Sequence, residues 1–353
     1  MPPPDAIFAI PGDLNTRTGG YIYARRLLET LHEIGQPLRH VALMPSWPEP
    51  SPAAEAELAA MLTALPPDMA LILDGLVFGA MDTQLLAAQR RPVIVMLHHP
   101  LGLESGLPPA RAAAMIARER ANLRHAAHVV VPSPHTRDIL VAEFGVRHED
   151  ISIALPGFDR PDPAGVDVAP ASPPLVLSVG ILCERKGHDI LLRALARLTH
   201  LDWQAAIVGR IHDDAVYAAL IALRRALGLE ARVRFTGELA QAPLDALYRS
   251  ARVFALATRY EGYGMVFSEA QLHALPVVSC AVGAVPQTVP EGAGLLVAPD
   301  DVPGFAAALE QMLTDNAAHA RLAAGGAAIG ATLPQWRDAA RIMRGVLDRV
   351  SGR

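Results

Sequence analysis

The stretch "RVFALATRYEGYGMVFSEAQLHAL", Arg252 to Leu275, decides the reading of the fold. Its first part, "RVFALAT", is apolar on both sides of a pleat, as parallel strands covered on two faces are. Its last part, "GMVFSEAQLHAL", has the composition of a helix. Glu261 then falls in the loop at the strand end, and Glu269 lies about a turn inside the helix, eight positions further on. Gly262 and Gly264 argue against helix between them. They form a tight turn and let a ligand approach the backbone closely.

Working outward, the same alternation recurs along the whole chain. In the first half the strand candidates are "AIFAIPG", "MALILDG", "RPVIVMLHH", "HVVVPS" and "ISIALPG". In the second half they are "PLVLSVG", "WQAAIVG", "RVRFTG", "RVFALAT", "PVVSC" and "GLLVAP". Many end in Gly, Pro or Ser, which punctuate turns. Amphipathic helical segments lie between them. "YIYARRLLETLHEIG", for example, puts Leu27, Leu28 and Leu31 on one side and closes with Gly35. The Pro-rich, acidic "GFDRPDPAGVDVAPASPP" separates the two series and is the best linker candidate, with the boundary near Val166 to Pro174. The fold class is therefore α/β: two Rossmann-like, doubly wound domains facing each other across a cleft. The expected spans are 1–165, 166–335, and a closing helix over 336–353 that returns to the first domain. Ligands of open α/β sheets sit beyond the carboxyl ends of the strands, so the chemistry belongs in the strand-end loops.

The totals agree with a large globular protein. The 353 residues suit two or three domains, and 51% hydrophobic against 19% charged residues leaves ample core. Lys and Arg number 31 against 36 Asp and Glu, a formal charge of −5 with no basic stripe, which argues against a nucleic-acid surface. Two distant cysteines, Cys183 and Cys280, read as reduced thiols of a cytosolic protein. "MPPPDAIFAIPG" lacks the basic flank and long apolar core of a signal peptide, and no apolar run reaches the ~18–20 residues that span a bilayer. The expected location is cytoplasmic, with peripheral contact at the inner face of the membrane left open. No HxxxH or CxxC occurs, so no metal is expected.

The loop-helix segment also has a chemical reading. The first N–H groups of the helix, around Gly264, Met265 and Val266, lack intrahelical partners and form a site for a phosphate. Carboxylates are repelled by phosphate but accept hydrogen bonds from vicinal hydroxyls, each contributing roughly 1.5–3 kcal/mol. One acid for a ribose diol, one for another polyol and a diphosphate between them describe a nucleotide-sugar.

At this point the chain resembles the retaining glycosyltransferases of the GT4 family, which have the GT-B fold. Their Glu–x7–Glu signature is matched by Glu261 and Glu269 with "EGYG" inside it. "SVGILCERKGHDILLRAL" resembles the family's first strand, loop and helix of the donor domain, and "VRFTGEL" its nucleobase-binding turn, with Gly237. "LPVVSC", "GAVPQTV" and "GLLVAPDD" resemble its closing segments; "TGGYIYARRLLETL" and "VVVPSPHTRDIL" resemble segments of its first domain.

The resemblance implies transfer of a sugar from a UDP- or GDP-linked donor to an acceptor hydroxyl, with retention of configuration and no divalent ion. The acceptor could be a glycan, a lipid carrier or a small metabolite. It implies ribose binding by Glu269, donor-sugar contact by Glu261, and neutralisation of the diphosphate by Lys186, with Arg185 assisting. Gly19 and Gly20, in a loop ahead of the first helix, would lie close to the donor, and His98 would contact the transferred sugar. One position departs from the pattern. Many family members carry Arg after the strand-end glycine, where this chain has Ile181. His135 beside Ser133 and Pro134 is assigned no role, because those two residues are helix-capping devices first. The rival readings are a GT-B epimerase or phosphorylase and a non-catalytic nucleotide-sugar-binding protein. A dinucleotide-dependent oxidoreductase is disfavoured, since no GxGxxG follows a strand candidate.

Overall fold

The computed structural model describes residues 6–104, 106–161 and 168–352. The chain divides into two compact units, Met1–Asp159 with Pro334–Arg353, and Arg160–Leu333. The expected boundary at 165/166, including Val166, lies outside the described residues.

The first unit runs β1 (Ala6–Pro11), α1 (Gly19–Glu33), β2 (Arg39–Leu43), α2 (Pro52–Ala64), β3 (Ala70–Asp74), α3 (Gly75–Ala80), α4 (Thr83–Ala87), β4 (Val93–Met96), α5 (Pro109–Leu123), β5 (His128–Val131), α6 (Pro134–Phe144) and β6 (Ile151–Ile153). Its six strands form one parallel sheet in the order β2-β1-β3-β4-β5-β6. Strands β1, β3, β4 and β5 are buried at every position, as their unbroken apolar runs require. Strand β2 was not among the sequence candidates. It is "RHVAL", an edge strand pairing with β1, and only its last residue is buried, so no apolar run marks it.

Helix α1 buries Leu27 and Leu31, while Leu28 is half-buried, and the chain leaves it at Gly35 in the left-handed region. The Gly19–Gly20 pair does not form a loop ahead of this helix. It is the helix's first two residues, following Thr18, and no side chain caps that end. Helix α6 starts as its sequence suggests: Ser133 Oγ accepts from the Thr136 amide at 3.1 Å, and Pro134 stands at the first position.

The second unit runs β7 (Leu175–Val179), α7 (His188–Ala196), β8 (Gln204–Val208), α8 (Asp214–Ala226), β9 (Val233–Gly237), α9 (Gln241–Ser250), β10 (Val253–Leu256), α10 (Met265–Leu272), β11 (Val277–Cys280), α11 (Val285–Thr288), β12 (Gly294–Val297), α12 (Val302–Thr314) and α13 (Asn316–Thr332). Its parallel sheet has the order β12-β11-β10-β7-β8-β9. The chain starts at the middle, winds outward through β8 and β9, then returns to build the other side from β10. The switch point is thus between β7 and β10, which pair Val176 with Val253 and Leu177 with Phe254. The loops that leave these two strands emerge side by side.

The last helix, α14 (Trp336–Val350), belongs to the first unit. Gln335 and Asp338 form a reciprocal capping box at its start. Trp336 is buried edge-on against Tyr23 of α1, with ring centroids 5.5 Å apart. A Cβ at Gly157 would overlap the Trp336 backbone, and the Phe158 amide donates to Pro334 O at 2.9 Å. A glycine is therefore needed where the chain leaves β6 and meets its own C-terminal helix.

Candidate donor-binding site

Two loops converge at the switch point of the second unit. The loop after β7 contains a short 3-10 turn, Glu184–Lys186, ending at Gly187 with φ +61°. A Cβ there would overlap the Ala257 carbonyl oxygen, so only glycine lets this turn pack against the end of β10. The turn carries Lys186 inward. Its Nζ donates to Glu261 Oε1 at 2.6 Å, and the Thr258 hydroxyl lies 3.0 Å from the same oxygen. Arg185 Nη1 donates to Tyr260 O at 3.1 Å and stands 3.7 Å from Glu261 Oε2.

Glu261 is 5% exposed and Lys186 9%. Burial alone would raise the Glu261 pKa, but Lys186, Arg185 and the Thr258 hydroxyl together hold it below the ordinary carboxylate range. Arg259 ties the loops together. Its amide donates to Arg185 O at 2.8 Å, and its guanidinium binds Asp189 at 3.1 and 3.0 Å and Glu184 O at 2.6 Å.

Helix α10 opens directly after Glu261. Its cap is Gly264, with φ +84° and no side-chain capping bond. A Cβ there would stand 3.5 Å from Glu261 Cγ and 2.6 Å from the Phe267 ring. The backbone around Glu261 is pinned from the other side: its carbonyl accepts from the Ala284 amide at 2.9 Å. Two cations, one carboxylate and the uncapped amides of Gly264, Met265 and Val266 therefore share one region of net positive character.

Glu269 stands in a different setting. It is half-buried on α10, and its Oε2 accepts from the Tyr248 hydroxyl of α9 at 3.0 Å. Burial raises its pKa, Tyr248 lowers it and Asp245 raises it, with a net upward shift. Gly237 ends the edge strand β9, separated from β10 by β7 and β8, and takes φ +70° with open space beside it. Ile181 lies in the loop after β7. The neighbouring Leu182 amide donates to Arg210 O at 2.9 Å, which ties that loop to the one after β8.

In the first unit, His98 follows β4 and packs edge-on against Tyr23, with centroids 5.1 Å apart. A Cβ on Gly20 would be 3.5 Å from its ring, so the helix-opening glycine and this histidine are neighbours. Burial pushes the His98 imidazole down to about 4, and its Nε2 has no hydrogen-bond partner among the described residues. The loop after His98 is anchored by buried Glu119 of α5, which accepts from the Leu101 and Gly102 amides at 3.0 and 3.3 Å.

Several residues of this architecture went unmarked in the sequence. Tyr248 and Glu119 lie on no segment quoted above, and Thr258 and Arg259 lie in the opening stretch without a role read for them. A polar residue inside an apolar strand end, as Thr258 is in "FALAT", was the one available signal. His188, first residue of α7, is also buried; burial and the neighbouring Lys186 charge push its imidazole down to about 4.

Among the described residues no group of three or more His, Cys, Asp or Glu could hold a metal ion, and no helix is long and apolar enough to cross a membrane. Residues 173–315 match the family model described as Glycosyl transferases group 1, and residues 14–157 that described as Glycosyl transferase 4-like domain. The chain belongs to the GT4 glycosyltransferases.

Among the relatives of this GT4 protein, D-inositol 3-phosphate glycosyltransferase of Corynebacterium aurimucosum is 33% identical over 205 residues, 53% of this chain and 48% of that protein. The chain spans about half the length of the curated relatives it matches first. Its fold is that of sucrose-phosphate synthase from Thermosynechococcus elongatus, with a TM-score of 0.81 at 22% identity, covering 98% of this chain and 99% of the other. Anabaena Alr3699/HepE in complex with UDP-glucose aligns with a TM-score of 0.74 at 19% identity, covering 98% and 99% of the two chains. Two-domain GT-B architecture is thereby established for the GT4 chain.

Proposed function

We propose that this protein is a retaining hexosyltransferase that moves a sugar from a UDP- or GDP-linked donor to an acceptor hydroxyl. One observation carries the reading: Lys186, Arg185 and Glu261 converge beside the uncapped start of α10. Two cations against one carboxylate leave a positive charge where the pyrophosphate would rest on the amides of Gly264, Met265 and Val266. As the sugar departs, negative charge grows on the leaving phosphate, and preorganised cations stabilise it more in the transition state than in the ground state. No metal is invoked, because side chains and the helix end supply the countercharge. Glu261 accepts from donor-sugar hydroxyls, and Glu269 from the ribose.

The first unit supplies the acceptor side, with His98 uncharged at neutral pH and able to hydrogen-bond a sugar hydroxyl without adding charge. Attack comes from the face that the diphosphate leaves, and the leaving phosphate oxygen takes the acceptor's proton, so no dedicated base is assigned. The UDP-glucose complex of Alr3699/HepE supports a uridine donor, and the name of the inositol-phosphate relative supports a small polyol as one acceptor class.

The test combines isothermal titration of UDP and GDP with turnover on UDP- and GDP-hexoses. NMR of the product anomer decides between retention and inversion. Binding with Lys186-dependent transfer and retained configuration is expected. Binding without turnover on any acceptor class would leave a nucleotide-sugar-binding protein, and isomerised donor an epimerase.

A further inference from the structure

We propose that Tyr248 sets the donor site's selectivity for a ribonucleotide: it holds Glu269 Oε2 and leaves Oε1 to accept from the ribose. This rests on the reading of Glu269 given above. The Tyr248 ring is 1% exposed and cannot swing. It stacks against His273 with centroids 5.1 Å apart and planes 2° apart, and against Phe254 at 6.1 Å and 18°. Its hydroxyl donates to Glu269 Oε2 at 3.0 Å. Oε1 has no hydrogen-bond partner among the described residues. A glutamate has three side-chain torsions, and one fixed oxygen removes most of that freedom before the nucleotide arrives.

The bond also has an electrostatic role. Glu269 is penalised by burial and by the charge of Asp245 on α9, and the Tyr248 hydroxyl is what opposes them. Other charged or titratable groups on this face are Arg249 of α9 and His273, whose Nε2 lies 3.8 Å from Asp245 Oδ1. Tyr248 itself stays a neutral donor, since burial and the nearby carboxylates push its pKa well above the ordinary value. Deleting the hydroxyl therefore both loosens the carboxylate and raises the pH at which it ionises.

Tyr248→Phe keeps the ring in its stack and removes only the hydroxyl. The probes are UDP and GDP, each paired with its 2′,3′-dideoxy form, titrated into the full chain at several pH values. For the tighter pair, Tyr248→Phe should weaken the ribonucleotide about tenfold, leave the dideoxy form unchanged, and move the acid limb of binding to higher pH. In a Glu269→Ala background the same change should have no further effect, since Tyr248 acts through Glu269.

An unchanged ribonucleotide-to-dideoxy ratio in Tyr248→Phe, while Glu269→Ala abolishes the preference, overturns the role of Tyr248 alone. Equal weakening of both ligands, together with a fall in melting temperature, overturns it as well and makes Tyr248 a packing residue. A preference that survives in Glu269→Ala overturns the reading of Glu269 itself.

Discussion

Glu261 and Glu269 are the same residue type, eight positions apart on one loop-helix segment, yet their surroundings push them in opposite directions. Glu261 is buried with Lys186 at 2.6 Å and Arg185 at 3.7 Å, and its pKa falls. Glu269 is half-buried beside a neutral phenol with Asp245 nearby, and its pKa rises. Both suffer desolvation; the sign is decided by whether a countercharge stands within reach. The two acids of one signature thus have different jobs already visible without a ligand. Glu261 is part of a charged strut joining two strand ends, and Glu269 is a carboxylate aimed by a hydrogen bond.

The contrast can be broken most forcefully at Lys186. Lys186→Met leaves a buried carboxylate short of its nearest partner and is expected to cost about 3–5 kcal/mol in urea denaturation. Adding Glu261→Gln should recover much of that loss, because the orphaned charge is gone. A single-variant cost below about 1 kcal/mol would mean that the pair is not a strut.

Acid titration is the next lever, once the buried histidines are accounted for. His98 and His188 have folded pKa values pushed down to about 4 from 6.5, so the unfolded chain binds more protons between those values. The histidine contribution to stability should be fully present above pH 6.5 and fall as the pH drops toward 4, opposed over the same range by buried Asp74 and Glu119, whose folded pKa values burial raises to about 6 and about 7. His188→Asn should flatten that slope when melting temperature is followed against pH. Glu261 adds its own loss as the pH falls below the ordinary glutamate value of 4.5 and on through its depressed folded pKa.

The smallest effect is the sharpest discriminator. Glu269 has a raised folded pKa, so its ionisation opposes folding as the pH rises through that value. Glu269→Gln should therefore change stability at pH 8 by no more than ~1 kcal/mol, in the direction of a gain, while donor affinity falls. Glu261→Gln should lose stability at the same pH. Identical losses in the two variants would erase the distinction.

Much of this was legible in the residues. Five of the six strands of the first unit and all six of the second fall on segments picked out in the sequence, and central ones such as β4 and β10 are unbroken apolar runs because they are buried on both faces. The exception, β2, sits at an edge where partial exposure removes the signal. The glycine at the start of α10, Gly264, and the acids around it were also readable, since positive φ and an open helix end demand particular residues locally. The Gly19–Gly20 pair was misplaced by the same logic: glycine suggests a loop, but here the helix begins on it.

What the amino-acid sequence determined by itself was the period of its apolar runs, the turn at Gly262–Gly264 and the identity of the acids. Tertiary structure decided which charges met. Lys186 and Glu261 are 75 residues apart, and Tyr248 and Glu269 are 21 apart on separate helices. No local pattern encodes either contact. They exist because β10 returns to pair with β7 and because α9 and α10 flank the same strand, and strand pairing is a cooperative choice of the whole sheet.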